Sequence, residues 1–403
     1  MKDKQDTKLW TLSSDSAHYE RNHNLLNGRL KNSFDPDIIN QHTQQNALAN
    51  LTVKEHIEIV HDGSDIRKPY SQKLPHLAKV RDLNGHIING YNTASADRFN
   101  SIVLSDVDKQ IRLLASTPYS TADPHYNQTV GAGFSGSEIV LTQLTQTDRA
   151  LKAAFPGVQI SHLLDRGHDD ELVFEHIDDL QSNFIIRLKA NRNSDESTQT
   201  ESGKAKAVKL QQAQLAHTYD ELLTKFIWKQ RVYEQARLVI HVGVLHLNKR
   251  CYQVLRVSVF DRLGKSIFKE PMLLITNRLL ADFKAVFSVY QSYLRRSKIE
   301  GVFKFLKERL GWEEFRVRDF MAIQNILSLC FYVGGYFYEH RQELVGDVGV
   351  GLICQLALSK GKITLHFYLE GLKILANYQL AQAFIKEHNL TQDDVNQMVS
   401  HLH

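Results

Sequence analysis

Cysteine is nearly missing from this sequence. Cys251, Cys330 and Cys354 are the only three in 403 residues, they lie far apart, and no CxxC pair occurs. Such a set excludes a disulfide framework and a structural zinc finger, and it suits a reducing compartment. Long apolar runs are missing too. The most apolar stretch, Ile326 to Phe337, follows directly on Gln324 and Asn325 and is too short to span a bilayer, so a buried helix is expected. Met1 to Asp15 is polar and charged, which excludes a secretory leader. The 19 histidines include no HExxH pair, and no nucleophile-elbow motif is present. Gly131 to Ser137 is glycine-rich but lacks the terminal lysine of a nucleotide-binding loop. Neither an internal repeat nor a low-complexity tract is visible. There is little charge of one sign: 49 Lys+Arg against 45 Asp+Glu leave +4, which permits a nucleic-acid partner without arguing for one.

What is there is an ordinary globular composition, 42% hydrophobic and 23% charged. Residues 1–52 are polar with weak helical patterning (Leu25, Leu26, Leu30) and read as a helical arm. Ile57, Ile59 and Val60 form a short apolar strand running into Asp62-Gly63-Ser64-Asp65. Strand-like runs follow at Ile87 to Tyr91, Ser101 to Leu104 and Ile111 to Thr117. Ser137 to Phe155 carries Ile139, Val140, Leu144 and Leu151 at helical spacing and stops at Pro156-Gly157. Val158 to Leu164 is a strand entering Asp165, and Asn183 to Leu188 another. The order strand, helix, strand predicts an α/β sheet. Ala190 to Lys206 lacks apolar anchors and reads as a loop or linker, and Ala207 to Phe226 as a helix. Phe226 to Tyr233, Leu238 to Leu247 and Tyr252 to Phe260 have strand composition, as does Pro271 to Thr276. The remainder, from Phe283, reads as helical.

The most informative stretch is Tyr293 to Lys307. At about 100° per residue, Tyr293, Arg296, Glu300 and Lys307 fall within roughly a 60° arc of one helix, beside the apolar stripe Ile299, Phe303, Leu306 and Leu310. Alone, that strip reads equally well as a solvated helix face. Two strand-terminal acids, Asp62 and Asp165, add weight, because sites in α/β sheets are built at strand ends. Three carboxylates that converge repel one another unless a cation joins them. A hard divalent ion such as Mg²⁺ would do so, leaving room for phosphate oxygens and water.

The spacing Y-(2)-R-(3)-E-(6)-K, met by Tyr293, Arg296, Glu300 and Lys307, resembles the signature of a group of DDE transposases of bacterial insertion sequences. The likeness extends over roughly residues 52–340. Asp62 to Ile66 with Lys68-Pro69-Tyr70, Val80-Arg81-Asp82 and Gly90-Tyr91 is similar to that group's first-Asp region. Asp165 to Asp169 with Phe184 to Lys189 is similar to its second, and Thr276-Asn277 also fits. The resemblance implies a ribonuclease-H-like mixed sheet flanked by helices, with an inserted β-rich subdomain. The expected layout is a helical N-terminal arm (1–52), two catalytic parts (53–189 and 271–345) around the insertion (190–270), and a helical C-terminal region (346–403).

It further implies that Asp62, Asp165 and Glu300 are catalytic and bind Mg²⁺, two ions by expectation, with Mn²⁺ as a substitute. Asp65 is the alternative first ligand, and Asp62 is preferred because it follows the apolar strand directly. Asp169 and Asp170 read as loop acids. Tyr293, Arg296 and Lys307 would contact DNA: arginine suits bidentate phosphate recognition, lysine a point contact and tyrosine base stacking. Arg187, Lys189 and Arg192, and Lys204, Lys206 and Lys209, are basic runs that could follow a DNA backbone or simply be solvated. The aromatic stretch Phe331 to Tyr338 reads as core. The implied activity is metal-dependent cleavage at transposon ends and strand transfer into target DNA by a homodimer in the bacterial cytoplasm, on double-stranded DNA and without a membrane. The alternatives are a structure-selective nuclease of the same fold and a catalytically inactive DNA-binding descendant.

Overall fold

The alternation of side chains along one strand, β1 (His56–Asp62), organises the larger part of the molecule. Ile57, Ile59 and His61 point to one face of the sheet and Glu58, Val60 and Asp62 to the other. The computed structural model describes residues 28–403 except 83, 92–97, 106, 108–109, 119, 121, 123–135, 200–204, 230, 248–249, 341–347, 360–362, 395 and 397–403. Most of the expected N-terminal arm (1–27), most of the glycine-rich stretch from Gly131, and Lys204 lie outside the described residues. The chain falls into two units, one of residues 36–303 and the other of 1–35 with 304–403.

The larger unit is mixed α/β. Helix α1 (Pro36–Ala49) leads into β1, and β5 (Arg98–Ser105) and β6 (Ile111–Pro118) follow β1 in antiparallel succession. Helix α2 (Gly136–Ala154) then crosses to β7 (Gln159–Leu164), which pairs parallel to β1 with Val60 opposite Leu163. Helix α3 (Glu171–Asp179) leads to β8 (Asn183–Arg187), parallel to β7. The order β6-β5-β1-β7-β8, with these directions, is consistent with a ribonuclease-H-like fold. Gly157, at φ 82°, makes the left-handed turn between α2 and β7.

The same sheet continues past β8 through β14 (Met272–Thr276), β13 (Arg250–Phe260), β12 (Arg231–Leu247) and β11 (His217–Trp228), all antiparallel. Two expectations fail in this region. The supposed linker contains a hairpin of β9 (Asn193–Gln199) and β10 (Ala205–Lys209). The supposed helix from Ala207 is the end of β10, a turn and the long edge strand β11. In a lateral sheet of β2 (Ile66–Arg67), β4 (Ile87–Tyr91) and β3 (Ala78–Arg81), β4 is central.

Two apolar cores hold the sheet. Ala47 and Leu51, around the end of α1, meet Ile57 and Ile59 of β1 and Leu151 of α2. Val140 and Leu144 of α2 with Phe174 and Ile177 of α3 pack on Phe184 and Ile186 of β8, Tyr252 and Val254 of β13, and Ile275 of β14. Helix α4 (Phe283–Arg295) starts at Asp282, whose carboxylate accepts from the Ala285 N–H at 2.8 Å, and buries Val286, Val289, Tyr290 and Tyr293. Helix α5 (Lys298–Arg309) follows it.

The smaller unit contains α6 (Phe320–Glu339), α7 (Val348–Leu356) and α8 (Leu365–Glu387). By length and composition alone α6 could cross a membrane. Its buried Asn325, however, donates to the carbonyls of Leu30 and Phe34 at 2.7 and 3.0 Å, and the carbonyl of Leu327 accepts from the fully buried Trp312 indole at 3.0 Å. Those are the contacts of a protein core.

Candidate active site

Asp62 ends β1 on the sheet face that also carries Glu58, and α4 delivers two successive arginines to that face. Arg296 Nη1 donates to Asp62 Oδ2 at 2.6 Å, while its Nη2 donates to Glu300 Oε1 at 2.8 Å. The other Asp62 oxygen accepts from the Gly63 N–H at 3.0 Å. Asp165, directly after β7, accepts from the Gly167 N–H at 2.8 Å and caps the short turn Arg166–His168. A Cβ on Gly167 would stand 2.9 Å from that Asp165 oxygen, so a side chain there would displace the Asp165 carboxylate.

The expected single helix strip is divided. α4 ends at Arg295 and α5 begins at Lys298, with Arg296 and Ser297 between them. The chain tightens there: Arg296 N bonds to the Tyr293 carbonyl at 3.0 Å, Ile299 N to that of Arg296 at 3.2 Å, and Glu300 N to that of Ser297 at 3.2 Å. The Ser297 hydroxyl also donates to the Leu294 carbonyl at 3.0 Å, competing with helix bonding. Tyr293 is buried, and the charge of Arg296 acts on its phenol. Lys307 lies further along α5, in the smaller unit, where it pairs with Glu313 at 3.3 Å.

The electrostatics of this cluster are unbalanced. Burial, reinforced by the charges of Asp165 and Glu300, pushes the Asp62 carboxyl up to about 7 although Arg296 pulls it down. Burial works against the charge of Arg296, yet Asp62, Tyr293, Glu300 and Asp165 around it raise its pKa. Tyr293 is raised by burial, and His168 is lowered, again chiefly by burial. One guanidinium thus serves several carboxylates. Hard oxygen donors with a surplus of negative charge fit a divalent cation. The guanidinium stands between Asp62 and Glu300, and among the described residues no three His, Cys, Asp or Glu groups converge closely enough to ligate one ion.

On the opposite face, His61 and His162 hold β1 to β7. Their rings stack with centroids 5.1 Å apart and share a hydrogen bond of 2.9 Å. His61 Nδ1 meets Ser101 Oγ at 2.7 Å, and His162 Nε2 meets Asp148 of α2 at 3.2 Å. Neutral rings allow a consistent chain of donors from the Ser101 hydroxyl through both imidazoles to Asp148. Burial holds His61 well below the ordinary histidine range, and His162 below it too. The strand ends bearing Asp62 and Asp165 are therefore tied from behind by a polar network with no sequence signature.

The other candidates separate on contact. Asp62, rather than Asp65, meets Arg296. Asp169 is buried and accepts from the Lys189 N–H at 2.8 Å and from Arg192 at 3.1 Å, and Asp170 caps α3. Arg192 also pairs with Glu171 at 2.9 Å, so it is engaged internally. Lys209 donates to the Asn191 carbonyl at 2.9 Å and to Asn193 at 2.7 Å. Thr276 and Asn277 clamp the sheet: Thr276 donates to the Phe184 carbonyl at 2.6 Å, and Asn277 joins the Phe184 N–H, Asp178 and the Ser182 carbonyl. Arg187 lines a cleft of about 620 Å³ with Trp228, Lys229, Arg231, Tyr233 and Phe268 at the β11–β12 tip. Within that cleft only Arg187 was singled out from sequence. The rest would have shown only as aromatic and basic residues flanking a hairpin turn.

A family model described as a transposase DDE domain matches residues 56–333. No curated protein matches the chain.

Proposed function

The chain belongs to the DDE transposase domain family, and from that premise we propose that it is a cut-and-paste transposase of an insertion sequence. In this reading Asp62, Asp165 and Glu300 hold two Mg²⁺ ions, for which Mn²⁺ substitutes. Ions bound there supply Lewis acidity for in-line displacement at phosphorus. In the first displacement water attacks the phosphorus, leaving a 5′-phosphate on the flanking strand and a free 3′-hydroxyl at the transposon end. In the second that hydroxyl attacks a target phosphorus and displaces the target strand's 3′-oxygen.

Gathering of Asp62, Glu300 and the field of Asp165 around one arginine supports the assignment more than any other observation. Arg296 supplies a planar fork suited to a backbone phosphate beside the reacting acids. Tyr293 lies beside it for base contact, and Lys307 adds a point charge along α5. The cleft lined by Arg187, Trp228 and Tyr233 offers a guanidinium and aromatic faces for DNA leading to the cut. The β-rich segment 190–270 acts as the family's insertion, and two copies pair the ends in the bacterial cytoplasm.

The test supplies a pre-cleaved end, target duplex and Mg²⁺. Joined products are expected, and cleavage without joining would favour a nuclease instead. Asp62→Ala, Asp165→Ala and Glu300→Ala should each abolish both steps while DNA binding in EDTA persists. Cleavage that survives Glu300→Ala overturns the assignment of the acids.

A further inference from the structure

A second polar cleft, of about 780 Å³, opens at the other end of β1. His56 and Glu58 line it from β1, Ser288, Ser292 and Arg295 from one stripe of α4, and Arg278 from the loop after β14. All belong to the larger unit. At the strand's rise per residue, the cleft's β1 lining stands ~13 Å (Glu58) to ~20 Å (His56) from Asp62.

Charge in the cleft is unevenly matched. Glu58 is buried and held bidentately by Arg295, with Arg295 Nε donating to Glu58 Oε2 at 2.7 Å and Nη2 to Oε1. Arg295 also donates to the Ser292 hydroxyl at 3.1 Å. That leaves Arg278, whose Nη1 is buried and makes no hydrogen bond among the described residues. A desolvated guanidinium nitrogen without an acceptor is costly, and burial accordingly lowers the Arg278 pKa. On the rim, the exposed Lys54 and Glu55 offset one another.

We propose that this cleft is a phosphate-binding site, with Arg278 as the principal ligand and the hydroxyls of Ser288 and Ser292 beside it. A planar fork next to hydroxyls suits tetrahedral oxyanions, and arginine is favoured over lysine for that geometry. The volume exceeds that of a lone phosphate, so the phosphate belongs to an ester, either a DNA backbone or a free nucleotide. A backbone phosphate here would place a second DNA contact on the face of the sheet that carries Asp62, at its opposite end.

The experiment uses the full chain in metal-free buffer, so it needs neither divalent ions nor cleavage and stands apart from the catalytic assignment. Melting is followed with inorganic phosphate against chloride at equal ionic strength. Wild type should gain about 2–4 °C at saturating phosphate. Arg278→Ala should lose most of that gain, and Arg278→Lys, which keeps charge but not the fork, should keep part of it. Two further arms separate the sources. If DNA supplies the phosphate, Arg278→Ala lowers duplex affinity and reduces the salt slope by about one. If a free nucleotide does, a nucleoside monophosphate outperforms phosphate and the duplex slope is unchanged. No phosphate-specific gain in wild type, or an equal gain in Arg278→Ala, overturns the proposal. Should Arg278→Ala not fold, a full gain in Arg278→Lys overturns it as well.

Discussion

β1 carries two carboxylates on one face, and α4 meets them with consecutive arginines, yet the two pairs differ in kind. Glu58 has Arg295 to itself, and although burial opposes ionisation, that pairing holds its carboxyl below the usual range. Asp62 shares Arg296 with Glu300 and feels Asp165 as well, and its carboxyl rises to about 7. The contacts differ, two guanidinium bonds at Glu58 against one at Asp62, and so does the stoichiometry of charge. One end is a closed ion pair that stabilises the fold, and the other is short of positive charge.

The largest expected effect falls on activity. If the Asp62 end is a metal site, Asp62→Asn should lower strand cleavage by about 10³-fold or more, since several kcal/mol of transition-state stabilisation go with the ion. Glu58→Gln should leave most of the cleavage rate, measured at a temperature where both variants are folded. Equal losses would erase the comparison.

Stability should reverse that order. Glu58→Ala strips a buried partner from Arg295. Because the Arg295 side chain is 43% exposed, the cost should be about 1–2 kcal/mol, below that of a fully buried pair. Asp62→Asn removes one anion from an overcrowded set and should change the unfolding free energy by less than about 0.5 kcal/mol, or raise it. Denaturant melts of both variants decide the point. A larger loss for Asp62→Asn would mean that the Arg296 cluster is structural.

The pH dependences should have opposite signs. A carboxyl raised in the fold contributes stability that is fully present below its unfolded value, near 4, and is lost as pH climbs toward 7. Glu58, lowered in the fold, contributes stability above the ordinary glutamate range that is lost as pH falls through it. His61 and His162, both lowered, add a separate loss as pH drops below about 6.5. The difference between wild type and Asp62→Asn isolates the first term. Mg²⁺ should also raise the melting temperature more at pH 8 than at pH 5.5, because the ion needs deprotonated ligands. A pH-independent Mg²⁺ effect would count against Asp62 as a ligand.

Charge stoichiometry of this kind cannot be read along a chain. The strand before Asp62 was legible because Ile57, Ile59 and Val60 sit next to a turn sequence, and the Tyr293 to Lys307 spacing was legible as a motif. Glu58 attracted no attention, since its partner is distant in sequence and only the sheet brings them together. His61 and His162 likewise depend on the register of β1 against β7. The tightening after Arg295 escaped because a few i+3 bonds leave helical periodicity almost intact. β11 is hard to tell from a helix in sequence because, as an edge strand, it is mostly exposed and shows little alternation. The hairpin of β9 and β10 is polar in sequence and held by backbone pairing, so no apolar pattern announces it.

The smallest effect extends the contrast between occupied and available arginines to the basic run after β8. Arg192 is tied to Asp169 and Glu171, whereas Arg187 lines the aromatic cleft, its nearest acid Glu270 at 4.0 Å. If an arginine already engaged by internal carboxylates is lost to DNA, Arg187→Ala should reduce the salt slope of duplex binding by about one, and Arg192→Ala should leave it unchanged. Arg192→Ala should instead lower stability by about 1 kcal/mol, because Asp169 is buried and loses a charged partner. Binding measured at several salt concentrations separates the two. Equal slopes would mean that proximity in sequence, rather than pairing, decides which cations meet DNA.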